Sequence, residues 1–149
     1  MKYLLFIILV FLGCGESSTT EIPAKANVEK VIANGLENSY NFAVTINSDE
    51  TGCDQYADWW EVIKADGTLV YRRILFHSHP SEQPFTRLGG GVSILKDDKV
   101  YIRAHLNNKG YGGDVFVGSI KDGFTLATTV PEFSKDIESL KPLPNGCAF

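Results

Sequence analysis

The heptapeptide VYIRAHL (Val100 to Leu106) alternates strictly, with Val100, Ile102, Ala104 and Leu106 on one face and Tyr101, Arg103 and His105 on the other. YNFAVTI (Tyr40 to Ile46) repeats the pattern through Phe42, Val44 and Ile46. A period of two over six or seven residues fits a half-buried strand and not a helix. Further strands are expected at Val28 to Ala33, Trp59 to Lys64, Leu69 to Phe76, Val92 to Leu95, Asp114 to Ile120 and Phe124 to Val130. ADGT and KDG supply the Asp-Gly turns of two hairpins. Many short strands with turn signals between them predict an all-β protein, an antiparallel β-sandwich that is immunoglobulin-like in outline, with Trp60 facing its core. An up-and-down barrel is the competing arrangement. After Pro131 the period changes: Phe133, Ile137 and Leu140 recur at helical spacing before Pro142, which predicts one short C-terminal helix.

The N-terminus places this domain outside the cytoplasm. YLLFIILVFL (Tyr3 to Leu12) follows a single Lys2 and is too short to span a bilayer. It has the form of a signal peptide, and FLGC behind it resembles the lipobox of bacterial lipoproteins. That resemblance implies cleavage after residue 13 and diacylation of Cys14, although Phe11 stands where leucine is usual. An ordinary cleaved signal with a chance cysteine is the alternative. GESSTTEIPAKAN is small and polar, as a tether is. The expected organisation is a signal peptide at 1–13, a lipidated cysteine and flexible tether at 14–27, and one domain at 28–149. The expected location is the bacterial cell envelope, with the domain facing the periplasm or the exterior and the membrane as a partner through the anchor.

Of the 14 basic residues, cleavage removes only Lys2, and all 18 acidic ones remain, so the net charge of -4 becomes about -5. Without a basic run to follow phosphates, nucleic acid is not an expected partner. With Cys14 acylated, Cys53 and Cys147 form an even pair in an oxidising compartment, and a disulfide between them is expected. Closing a loop of about 94 residues is worth roughly 4 kcal/mol in the chain-entropy account. A pair of thiolate metal ligands is the rival reading.

If Trp59 to Lys64 is the third strand of such a sandwich, Leu69 to Phe76 and Val100 to Leu106 flank it in the order C′–C–F. Three long loops then gather at one end: Asn47 to Asp58, His77 to Gly91 and His105 to Gly113. They hold all three histidines, and loops at one end of a rigid sandwich are a usual place for binding. The segments YADWWEV, HSHPSEQPFTR and GYGG in this region resemble a family of small secreted or lipid-anchored bacterial proteins. The resemblance covers about Phe42 to Gly113 and implies an envelope location, with no chemistry attached.

Chemistry must therefore come from the loop residues. His77, His79 and His105 with a carboxylate, Asp54 foremost and Asp58 or Glu82 as substitutes, would suit Zn²⁺ or Cu²⁺. Imidazoles that merely fix the loops through hydrogen bonds are the plain alternative. NSDETGCDQYAD places Asn47, Asp49, Thr51, Gly52 and Asp58 in a weak EF-hand-like spacing. Tyr56 and Tyr111 are candidate binding residues that, with Trp59, could stack on a sugar, or else anchor the loops. Glu82 and Arg87 are further candidates, and their more economical role is an ion pair that steadies the loop, with Phe85 filling the core. Neither G-x-S-x-G nor H-E-x-x-H occurs, and GGG and GYGG read as turns needing positive φ. The sequence points to a lipid-anchored binding module rather than an enzyme. That module either holds a transition metal at the loop end or, without metal, engages a carbohydrate or another envelope component.

Overall fold

A computed structural model describes residues 23–148. Cys14 and the residues read as signal peptide lie outside them. Eight strands follow in order: β1 (Ala26–Leu36), β2 (Ser39–Ser48), β3 (Ala57–Lys64), β4 (Leu69–Ile74), β5 (Phe85–Val92), β6 (Val100–Leu106), β7 (Phe116–Ser119) and β8 (Gly123–Leu126). They form two antiparallel sheets, β1-β2-β5 and β4-β3-β6-β7-β8. The result is the expected sandwich, and the order β4-β3-β6 is the predicted C′–C–F arrangement.

The alternating residues meet between the sheets. Phe42, Val44 and Ile46 of β2 face Trp60 and Val62 of β3 and Val100, Ile102, Ala104 and Leu106 of β6 in one buried cluster. Apolar area removed from water at about 25 cal/mol per Å² is what closes the two layers. Phe85 is buried in the same cluster, as anticipated, where the chain enters β5. At the sheet edges Arg73 Nε donates to the Leu88 carbonyl at 3.0 Å, joining β4 to β5.

Three features differ from the sequence reading. β1 starts at Ala26, so Ala26 and Asn27, assigned to the tether, belong to the sheet. The second long loop is shorter than expected, because Phe85 to Val92 pairs with β2 as a strand. Its GGG is a site of close approach more than a turn: only Gly91 of the three has positive φ, and a Cβ on Gly89 would sit 2.7 Å from Trp60 and Tyr71 atoms. The glycine lets the outer sheet lie flat against two core rings.

The C-terminal helix is a single 3-10 turn, Lys135–Ser139, capped by Ser134, with only Ile137 fully buried. Arg72 holds its C-terminal end: the guanidinium donates to the carbonyls of Ile137 and Leu140, of the kind that a helix end leaves without partners in its own ladder. The tail is further held by the Cys53–Cys147 disulfide, as predicted, across a sequence separation of 94 residues.

Gly89→Ala should lower the unfolding free energy by about 1–3 kcal/mol, because the new methyl must push Trp60 and Tyr71 out of place. Gly112→Ala, whose methyl would meet nothing within 4 Å, should shift the urea midpoint hardly at all. Equal stability of the two variants would refute this account of Gly89.

Candidate functional site

The second face of β3 and β6 is where the polar chemistry lies. Trp59, Glu61 and Ile63 of β3 and Tyr101, Arg103 and His105 of β6 point away from the core, yet all six are buried. Their cover is the segment after β8. Ile137 is buried here, Phe133 meets the Tyr101 ring edge-on at 5.6 Å, and Glu138 Oε1 lies 3.3 Å from His105 Nε2.

Glu61 is fully buried at the centre of this layer. Its Oε2 accepts from Arg72 Nε at 2.8 Å and lies 2.7 Å from Arg72 Nη2. Its Oε1 accepts from Arg103 Nε at 2.8 Å and from the Tyr111 hydroxyl at 2.7 Å. The Tyr111 oxygen in turn accepts from Trp59 Nε1 at 3.1 Å. Burial, and next to it the charge of Glu61, push the Tyr111 phenol far above its usual range, so it acts as a donor throughout the working range of pH. Arg103 is stacked 3.4 Å above the Tyr111 ring and 5.0 Å from Phe133.

Two adjoining hollows share Arg103, Tyr111 and Phe133 as walls. One, about 320 Å³, adds Lys109, Lys135 and Glu138; the other, about 260 Å³, adds Val115, Val130 and Pro131. Together they make a groove between the GYGG loop and the C-terminal segment. Arg103 is only 8% exposed, and its Nε is spent on Glu61. Among the described residues its Nη1 and Nη2 donate no hydrogen bond, and the side chain borders both hollows. A guanidinium so fixed is an anion-ready fork.

The three predicted loops do gather at one end, but each histidine has its own role there. Glu50 organises the first two loops: its carboxylate accepts from Ser48 Oγ, Ala57 N, Ser78 Oγ and His79 N. His79 is buried, stacked on Phe85 at 4.3 Å and 4.4 Å from the exposed His77 ring. Neither of its ring nitrogens has a hydrogen-bond partner among the described residues. The third loop meets the first through Asn107, which donates to the Cys53 carbonyl and accepts from Tyr56 N, and through Asn108, which donates to the Asp54 carbonyl. His105 stacks on Trp59 at 3.6 Å, and its Nδ1 lies 2.6 Å from Asp58 Oδ1.

This arrangement does not assemble the metal centre expected from His77, His79, His105 and Asp54. Among the described residues no group of three or more His, Cys, Asp or Glu side chains is placed to hold a metal ion. The physical reason is that both nitrogens of His105 face carboxylates, Asp58 of β3 and Glu138 of the covering tail. Asp58, rather than Asp54, is the histidine's partner; burial raises its carboxyl above the usual range, with His105 opposing the shift. The EF-hand-like spacing fares likewise, since Asp49 accepts from Lys25 N and Asp58 turns to His105. Tyr56 is a buried anchor. Glu82 and Arg87 form the expected exposed pair at 3.0 Å, which holds the Glu82 carboxyl below its usual range. Tyr111 does line the groove.

Glu61, Arg72, Arg103 and Glu138 were not singled out in the sequence. The available signal was the charged set at 61, 72 and 103 inside strands of otherwise buried character, since a charge within a strand of buried flanks demands a partner.

Burial, and after it the Arg87 charge, depress the His79 pKa below 6.5, against the opposing pull of Glu50; the His77 charge adds to the depression and that of Glu82 opposes it. Below the unfolded value the unfolded chain takes up a proton that the folded chain refuses, so stability is present above about pH 6.5 and falls as the pH drops. The loss has a slope of at most about 1.4 kcal/mol per pH unit. Asp58, with its raised pKa, acts in the opposite sense in a more acidic window. Urea unfolding between pH 7.5 and 5.5 should show the decline, and His79→Leu should flatten it. An unchanged slope in that variant would refute the assignment.

The chain is 36% identical over 115 residues to a protein of Halomicrobium mukohataei named "Putative lipoprotein", an alignment spanning 75% of this chain and 56% of the relative. The chain therefore spans little more than half the length of that relative. No family model matches it, and no solved structure does.

Proposed function

We propose that this protein is a lipid-anchored binding module of the cell envelope that uses no metal and takes its ligand in the groove between the GYGG loop and the C-terminal segment. The lipid anchor rests on the lipobox-like FLGC at Cys14 and on the name of the Halomicrobium relative. One observation carries the binding site: Arg103, nine-tenths buried and held at Nε by Glu61, borders the groove with both terminal nitrogens unused among the described residues. A buried charge held ready by a carboxylate costs stability that packing alone would not require, and this favours a role toward a ligand. This reading follows the metal-free interaction alternative of the sequence, in which Tyr111 was already a candidate, and adds Arg103 and Phe133 to it.

Two measurements test the reading. Growth with an alkyne fatty acid should label the wild-type chain, and Cys14→Ser should lose the label; equal labelling would remove the anchor. Incubating the full-length chain with the small-molecule fraction of an envelope extract should slow amide exchange in residues 109–113 and 131–138. No protection there would remove the groove as the binding site.

A further inference from the structure

We infer that the groove selects a small amphipathic carboxylate, with its head on Arg103, Lys109 and Lys135 and its apolar body between Val115, Val130 and Pro131. The inference rests on the proposal that the groove is the ligand site and names the chemistry that fits it.

The two hollows differ in kind. The first collects three cations against one carboxylate, Glu138, and that carboxylate has an oxygen turned to His105 Nε2 at 3.3 Å. The second is walled by aliphatic and proline side chains. Arg103 stands where they meet, pressed between the Tyr111 and Phe133 rings. A neutral sugar would leave the cations of the first hollow unpaired. An inorganic anion would leave the second without apolar contact. A molecule charged at one end and apolar at the other satisfies both.

The head group follows from the donors. With Nε taken by Glu61, Arg103 offers the two-pronged edge Nη1 and Nη2, which matches the two oxygens of a carboxylate in parallel hydrogen bonds. A phosphate dianion would need further fixed donors, and it would also sit against Glu138. The lysines are exposed and mobile in their reach, so they add attraction more than geometry. Each hollow lies near the lower bound of about 300 Å³ for small-molecule sites, so the pair suits a compact ligand.

The test uses the full-length lipidated chain in phospholipid nanodiscs, with empty nanodiscs as the blank, and three probes: 4-phenylbutyrate, its neutral amide 4-phenylbutyramide, and inorganic phosphate. Saturation-transfer NMR titrations should show the carboxylate binding at least about tenfold more tightly than the amide, with phosphate weaker still. The double variant Lys109→Gln, Lys135→Gln, at exposed positions that leave the Glu61 layer intact, should weaken the carboxylate about threefold or more and leave the amide unchanged. Arg103→Lys, checked for native melting, should abolish the preference for carboxylate. Equal affinity for the amide overturns the inference while leaving the groove as a ligand site. Phosphate binding as tight as the carboxylate also overturns it. Silence of all three probes overturns it too, and protection of residues 109–113 by the envelope extract then decides whether the groove itself still stands as the site.

Discussion

The Glu61 carboxylate lies between the guanidinium groups of Arg72 and Arg103 on the face of the large sheet that points away from the core. A buried carboxylate with no partner would cost several kcal/mol, and removing one member of such a triad typically costs about 3–5 kcal/mol. The two arginines divide its oxygens, one each, so the face tolerates being covered. Arg72 then reaches outward with its remaining donors to the carbonyls of the C-terminal segment. Glu61 thus holds Arg72, which also stacks over Trp59 at 4.5 Å, in position to bind the tail that forms the second layer.

Everything proposed about function depends on that layer. The groove has one wall from the GYGG loop and one from the tail, and Arg103 and Tyr111, both bonded to Glu61, set its floor. The disulfide fixes the far end of the same tail to the first loop, and in the chain-entropy account a closure of this length contributes about 4–5 kcal/mol. The tail is thus held at both ends, by guanidinium–carbonyl bonds and by a covalent bridge, and the groove between is preorganised.

Strand alternation made the sandwich and its core legible, because a period of two names the buried face directly. It failed on the other face. Tyr101, Arg103 and His105 read as the polar side of β6, and nothing local announces that a segment thirty residues later will cover them. The glycines misled for a related reason: a run of three reads as turn, while Gly89 is there for the rings of Trp60 and Tyr71 on the opposite sheet. The histidines gathered at the end expected, yet proximity in topology does not make a donor set. The Cys53–Cys147 pairing succeeded because only two candidates remained, so no three-dimensional information was required.

The way the chain enters the domain bears on what the groove can meet. β1 begins at Ala26 directly against the groove loop: Asp114 N donates to Asn27 Oδ1, Val28 N donates to the Asp114 carbonyl, and a Cβ on Gly113 would overlap the Ala26 carbonyl. Cys14 precedes Ala26 by a dozen residues, which extend to at most about 43 Å. With Cys14 acylated as proposed, the groove lies at the end of the domain where the tether enters, the same end at which the three long loops gather, since Ala26 pairs with Ser48 and Lys25 N donates to Asp49. Amphipathic anions concentrate at a bilayer surface, apolar part inward and charge outward. On that proposal, a groove with an apolar chamber and a guanidinium fork is tethered within that distance of a surface at which amphipathic anions collect.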